Sequence, residues 1–198
     1  MHFKLSTTKT WVFFWILALA GVLQAADFSI DPAHSSVGFT VRHIVSNVKG
    51  QFGEFTGNFS YDPKAPEKAS VEAVIQAKSI NTNMDKRDGH LRSPDFFDVE
   101  KYPTLSFKST SAKSSGPGKL EVTGVLTLHG VSKPVVLSIE GGDLAKDPWG
   151  GTRTGFTATT KINRKEFGMN WNKALDNGGV LVGEEVKIEI EVEGVAKK

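Results

Sequence analysis

The sequence predicts an all-β fold, an up-and-down antiparallel barrel of about eight strands, on three observations. Apolar and polar residues alternate with a period of two along most of the chain, short turns join the alternating runs, and cysteine is absent. In a pleated strand every second side chain lies on one face, so each run has one dry face and one wet face. Strands of that kind, joined by short turns, favour an antiparallel barrel over a parallel sheet buried on both sides. Without cysteine there is no disulfide staple, thiol nucleophile or thiolate metal site, and stability rests on buried apolar surface.

The elements follow in chain order. Residues 1–10 carry Lys4 and Lys9 and no acid, residues 11–23 are an unbroken apolar run of 13, and Ala25 and Ala26 follow. That is the order of a secretory signal peptide, whereas a helix that crosses a bilayer needs about 20 apolar residues. Residues 1–25 are therefore expected to be a signal peptide and 26–198 a single exported domain with no permanent membrane span after processing. An uncleaved anchor is the alternative, because Leu23 stands where a small residue is usual before the cut. Removing a leader with two Lys and no acid from the 24 basic residues leaves 22, against 22 acidic ones. A balanced chain exerts no long-range attraction on phosphate backbones or anionic lipid, which argues against nucleic acid as a partner.

Candidate strands fall at 37–42, 53–61, 71–77, 104–110, 120–128, 135–139, 155–164 and 186–192. Residues 129–134 and 114–118 are turns by their Gly, Ser and Pro content. Two segments break the alternation. Residues 84–93 are strongly charged and predict a short helix or structured loop that Pro94 limits. Residues 165–179, with Phe167, Met169 and Trp171 among Gly and Asn, predict a lid or loop.

Most aromatic residues of the mature chain are Phe, among them those at 39, 52, 55, 59, 96, 97, 107, 156 and 167, joined by Trp149 and Trp171. Phe55, Gly57, Phe59 and Tyr61 share one parity. These rings either fill a barrel core or line a cavity, since an eight-stranded barrel has room for one small ligand; a Phe- and Leu-lined cavity selects an apolar one. Asp88, His90 and Ser93 are the residue types of a hydrolase triad. They lack a nucleophile-elbow pattern, and a loop held by Asp–Arg pairs and caps is the simpler reading. His34, His43, His90 and His129 have no metal-binding helical spacing, and no metal site is expected. Trp149 and Arg153 flank a Gly-rich turn, where an Arg stacked on the indole would lock a barrel end or meet a ligand at the rim.

Read together, several segments resemble the YceI-like family of exported lipid-binding proteins. They are HSSVGFTVRH at 34–43, GQFGEFTGNFSYDP at 50–63, RDGHLRSPDFFDVEKYPTLSFKSTS at 87–111, LEVTGVLTLHGVSKPVVL at 120–137, DPWGGTRTGFTATTKINRKEFGMNW at 147–171 and VKIEIEVEGV at 186–195. The resemblance implies a lipocalin-like eight-stranded antiparallel barrel with a short helical insertion around residues 84–93. It further implies a periplasmic, non-catalytic carrier, in some members a homodimer, whose tunnel holds a long isoprenoid such as an isoprenoid quinone or a polyprenyl phosphate. No cofactor is implied. On the matching segments the expected apolar lining is Phe39, Phe52, Phe55, Phe59, Leu91, Phe96, Phe97, Phe107, Trp149, Phe156 and Phe167. His43, His90 and Arg92 are expected to meet a polar head group, with an Asp88–Arg92 pair as the alternative that holds the insertion in place. The competing functions are a hydrolase or isomerase acting on a lipid-like substrate through His90 and Asp88, and a haem or metal binder with histidine ligands.

Overall fold

The protein is described by a computed structural model over residues 26–176 and 178–197. The signal peptide read at residues 1–25 lies outside the described residues. In chain order the strands are β1 (Ala26–Ile30), β2 (Ser36–His43), β3 (Ser46–Phe52), β4 (Phe55–Tyr61), β5 (Ser70–Gln76) and β6 (Ile80–Asn81). Helix α1 (Asp85–Arg92) follows, then β7 (Thr104–Gly116), β8 (Lys119–Leu128), β9 (Val131–Lys146), β10 (Thr152–Asn163) and β11 (Val182–Ala196). Among the described residues no helix is long and apolar enough to cross a membrane.

One antiparallel sheet contains all eleven strands, in the order β1-β4-β5-β7-β8-β9-β10-β11-β2-β3-β6. The ring closes where Ile30 meets Gly194 and Phe28 meets Ala196, so β1, β4, β5 and β7 to β11 make the expected eight-stranded barrel. Strand β11 serves two neighbours along its length. Its end pairs with β1, while Val182 to Glu191 pairs with β2, and β2, β3 and β6 extend the wall beyond the ring. The expected strand set differs at this seam. The ring closes through β1 rather than β2, and β1, β3 and β6 are too short or too poor in apolar residues to display a period.

The parity read from the sequence is the inward face. Leu120, Val122 and Leu128 of β8 and Val135 and Leu137 of β9 are all buried. Burying each such side chain is worth about 1.5–3 kcal/mol, which supplies what disulfides do not. Glycines give the inward rings somewhere to lie. A Cβ at Gly50, Gly124 or Gly194 would collide with the rings of Phe39, Phe107 and Phe59 respectively. Each ring is thus laid against the wall over a glycine instead of standing across the lumen.

Segment 84–93 folds as the expected short helix. Asp85 and Asp88 lie in its first turn, where the helix dipole favours negative charge. Asp88 is buried and accepts from the Thr82 backbone N–H at 2.9 Å and from its hydroxyl at 2.5 Å. The helix ends as Ser93 N–H returns to the His90 carbonyl, with Pro94 next in sequence. The second irregular segment begins with a 3-10 turn at Arg164–Phe167 that buries Phe167 in the core, and then runs back to β11 through an Ala174–Val180 bridge.

Candidate functional site

The barrel encloses a cavity of about 590 Å³ that is hydrocarbon along nearly all of its wall, a size ordinary for ligand sites. Phe39, Phe52, Phe55, Phe59, Phe107 and Phe156 line it from five strands. Leu91, from α1, and Phe96 and Phe97, from the loop after it, line it near the helix. At the β1 end, Phe28 stacks on Phe59 with ring centres 5.0 Å apart, and Phe156 meets Phe59 and Tyr61 edge-on at 5.6 and 5.0 Å. Burial, reinforced by Asp143 and then Asp62, pushes the Tyr61 phenol up.

The helix end carries the charged and imidazole groups of the lining. His43, His90, Lys86, Arg87 and Arg164 reach the cavity there, together with Met84 and Trp171. His90 stands edge-on to Phe96 and Trp171, at 5.1 and 4.8 Å between centres, while its Nε2 meets Asp95 Oδ2 at 2.8 Å. Arg87 donates to the Thr82 hydroxyl at 2.6 Å and carbonyl at 2.7 Å. That hydroxyl donates to Asp88, so a relay of hydrogen bonds braces the helix. Arg164 is 3% exposed and donates to four backbone carbonyls: Gly183, Met169, Trp171 and Val182. Burial pushes its guanidinium below the usual range, and Glu184 opposes this from nearby.

Three of the expected lining or head-group residues are placed elsewhere. Trp149 is 83% exposed on the β9–β10 turn, and no cation–π contact joins it to Arg153. The turn is instead built around Asp147, which accepts from the Trp149 and Gly151 N–H groups and from Arg153. Phe167 is buried beneath the barrel end but does not border the cavity. Arg92 turns away from the lumen and donates to the Lys78 and Ile80 carbonyls at 2.8 and 2.7 Å, tying α1 to the segment around β6. The alternative Asp88–Arg92 pair is replaced by separate partners: Asp88 accepts from Thr82, which precedes the helix, while Arg92 is taken up by the Lys78 and Ile80 carbonyls.

Several further wall residues have no distinctive signature in the sequence. Val186, Ile188, Ile190 and Val192 form a continuous inward column on β11; their parity was visible, but aliphatic alternation alone does not separate cavity wall from packed core. Met84, Lys86, Arg87 and Arg164 gave no such signal, since charge in a loop or short helix ordinarily means solvent.

The triad residue types do not assemble. Ser93 Oγ donates to the His90 backbone carbonyl at 2.8 Å, the His90 ring bonds Asp95, and Asp88 is committed to Thr82. Asp31, His34 and Glu193 bring ligand-type atoms together at the β1 end, yet Arg153 already donates to Asp31 at 2.9 Å and to Glu193, supplying the cation. His129 rests against Tyr102 and the Phe167 carbonyl in its turn.

The sequence model of the YceI-like domain matches residues 28–194. A UPF0312 protein of Vibrio cholerae is 42% identical over 185 residues, covering 92% of this chain and 94% of that protein. Among solved structures, a Campylobacter jejuni YceI protein aligns with a TM-score of 0.70 at 33% identity, over 79% of this chain and 90% of its own. A domain from Saccharophagus degradans, described as polyisoprenoid-binding and implicated in plant cell wall breakdown, has the same fold, with a TM-score of 0.67 at 16% identity, over 88% of this chain and 100% of its own.

Proposed function

This chain belongs to the YceI-like family, and from that premise we propose that it is a non-catalytic carrier that holds one long-chain isoprenoid lipid, a quinone or a polyprenyl phosphate, inside its barrel in the periplasm. The observation that carries the reading is the cavity, walled by Phe and aliphatic side chains along nearly all of its length, with charged and imidazole groups at the helix end. Each CH₂ withdrawn from water contributes about 0.8 kcal/mol, so a long chain binds tightly with few polar contacts. Rings laid over Gly50, Gly124 and Gly194 support it too, because a barrel built only for stability gains by filling its lumen. The polyisoprenoid-binding description of the Saccharophagus degradans domain points to the same ligand class. Periplasmic placement is supported by the signal peptide order of residues 1–25. In this reading Phe39, Phe52, Phe55, Phe59, Phe107 and Phe156 contact the chain, while His43 and His90 stand nearest the head group. The hydrolase alternative draws no support from the separate bonding of Asp88, His90 and Ser93.

The test is native mass spectrometry of the protein taken from the periplasm without detergent, with organic extraction of anything released. A stoichiometric isoprenoid is the expected result. Protein that arrives empty and takes up no long-chain lipid overturns the reading.

A further inference from the structure

Among the described residues nine large hydrophobic side chains are exposed, and four of them, Ile44, Val45, Met84 and Val180, gather at the helix end. Ile44 and Val45 form the tip of the β2–β3 hairpin, and Ile44 N–H bonds the Leu181 carbonyl at 3.0 Å, beside Val180. Met84 is 53% exposed and also lines the cavity, as do Leu181 and the flanking His43, so the apolar rim and the cavity wall are one continuous surface. A soluble carrier has no need of Val45, 82% exposed, at its mouth.

The charges around this rim are also uneven. Arg42, Lys86, Arg87 and Lys173 stand on the same stretches, and among the described residues none has a carboxylate within ion-pair distance. Asp85, Asp88 and Asp176 are the acids beside them in sequence, Asp88 being buried on Thr82; Glu184 and Glu185, which border a surface recess with Arg42, are paired with Lys165 and Lys161, and Asp95 faces His90. At the far end Asp31, Asp147 and Glu193 share the single Arg153. A balanced net charge thus leaves room for a local basic patch at the mouth, where these four bases have no carboxylate partner among the described residues, while three acids share Arg153 at the β1 end.

We propose that the helix end is a membrane-docking face, which seats the Ile44–Val45 tip, Met84 and Val180 in the interface of an anionic bilayer with the basic side chains against lipid phosphates. An apolar tip ringed by Lys and Arg is the chemistry that an anionic lipid surface binds. Docking in this orientation sets the cavity mouth on the bilayer, and an apolar ligand passes between membrane and barrel without crossing water. The inference rests on the lipid-carrier reading for its purpose but is tested without the ligand.

Since the chain has no cysteine, single labels are unambiguous. Val45→Cys, and Trp149→Cys at the opposite end, are each coupled to an environment-sensitive fluorophore on the protein as the expressing cell processes it. They are titrated with vesicles of phosphatidylethanolamine and phosphatidylglycerol, and with phosphatidylcholine vesicles alone. Expected is a blue shift at position 45 with the anionic vesicles only, weakened by salt, and none at position 149. Lys86→Gln should weaken binding roughly fivefold. No shift at position 45, or equal shifts at both positions, overturns the proposal. Extraction of the same preparation separates the two ideas: lipid-loaded protein that ignores vesicles sinks docking and leaves the carrier reading standing.

Discussion

The two ends of the barrel are each fastened by an arginine, and they use it in opposite ways. At the β1 end Arg153 draws together Asp31 after β1, Asp147 in the β9–β10 turn and Glu193 on β11. At the helix end Arg164 has no carboxylate partner among the described residues and holds the backbone at Met169, Trp171, Val182 and Gly183 by their carbonyls. The first arrangement neutralises charge where the ring closes, above a plug in which Phe28 stacks on Phe59 and Phe156 meets Phe59 and Tyr61 edge-on. The second leaves a positive charge bordering the cavity at the end where apolar side chains reach solvent. A barrel can therefore be closed at one end by ion pairs and rings while the other end carries charged groups on its cavity wall, with the same residue type in both fastenings.

The largest expected effect strikes the plug. Phe28 is fully buried, and Phe28→Ala should cost about 3–5 kcal/mol, measured by urea denaturation; a loss below about 1 kcal/mol would mean that the β1 end is not the closed one. Next is Arg164→Met, which keeps the stem and strands buried carbonyls. A loss of about 3 kcal/mol is expected, together with faster hydrogen exchange confined to residues 164–183; uniform protection would show that the clasp is dispensable.

The corresponding change at the closed end, Arg153→Gln, is distinguished by pH rather than size. Hydrogen bonds from His34 and then Arg153 lower the Asp31 carboxyl from 3.8 to about 2. A carboxyl depressed by folding contributes stability that is complete above its unfolded value and disappears as pH falls through its folded one. The native protein should thus lose stability between about pH 4 and pH 2, and Arg153→Gln should flatten that slope. An unchanged slope would remove the ion pairs from the account of ring closure. The smallest effect is expected for Trp149→Ala, within about 0.5 kcal/mol and with no change in lipid loading, because the indole is 83% exposed and away from the cavity. Loss of bound lipid in that variant would return Trp149 to the site.

Most of the barrel was legible because alternation is a local property. A strand with one buried face records that face in every second residue, and Leu120, Val122, Leu128, Val135 and Leu137 did so. The helix was legible from charge and Pro94. The Phe lining was legible as a set of rings but not as a cavity, since packed rings and lining rings have the same spacing. Trp149 and Arg92 were misplaced for a related reason: a residue type suggests what it could contact, while the turn around Asp147 and the carbonyls of Lys78 and Ile80 decide where it points.

The amino-acid sequence by itself determined the period-two pattern, hence the class of fold, its inward face and its independence of disulfides. Only the tertiary structure decided that β11 divides its length between β1 and β2, that rings lie over glycines and leave a lumen, and that three acids share Arg153 at one end while Arg164 clasps backbone carbonyls at the other. Those features depend on residues far apart in the chain, such as Asp31 with Arg153 and Phe59 with Gly194. Long-range partners leave no periodic trace, because register and closure are set by how strands meet and not by the order of residues within any one of them.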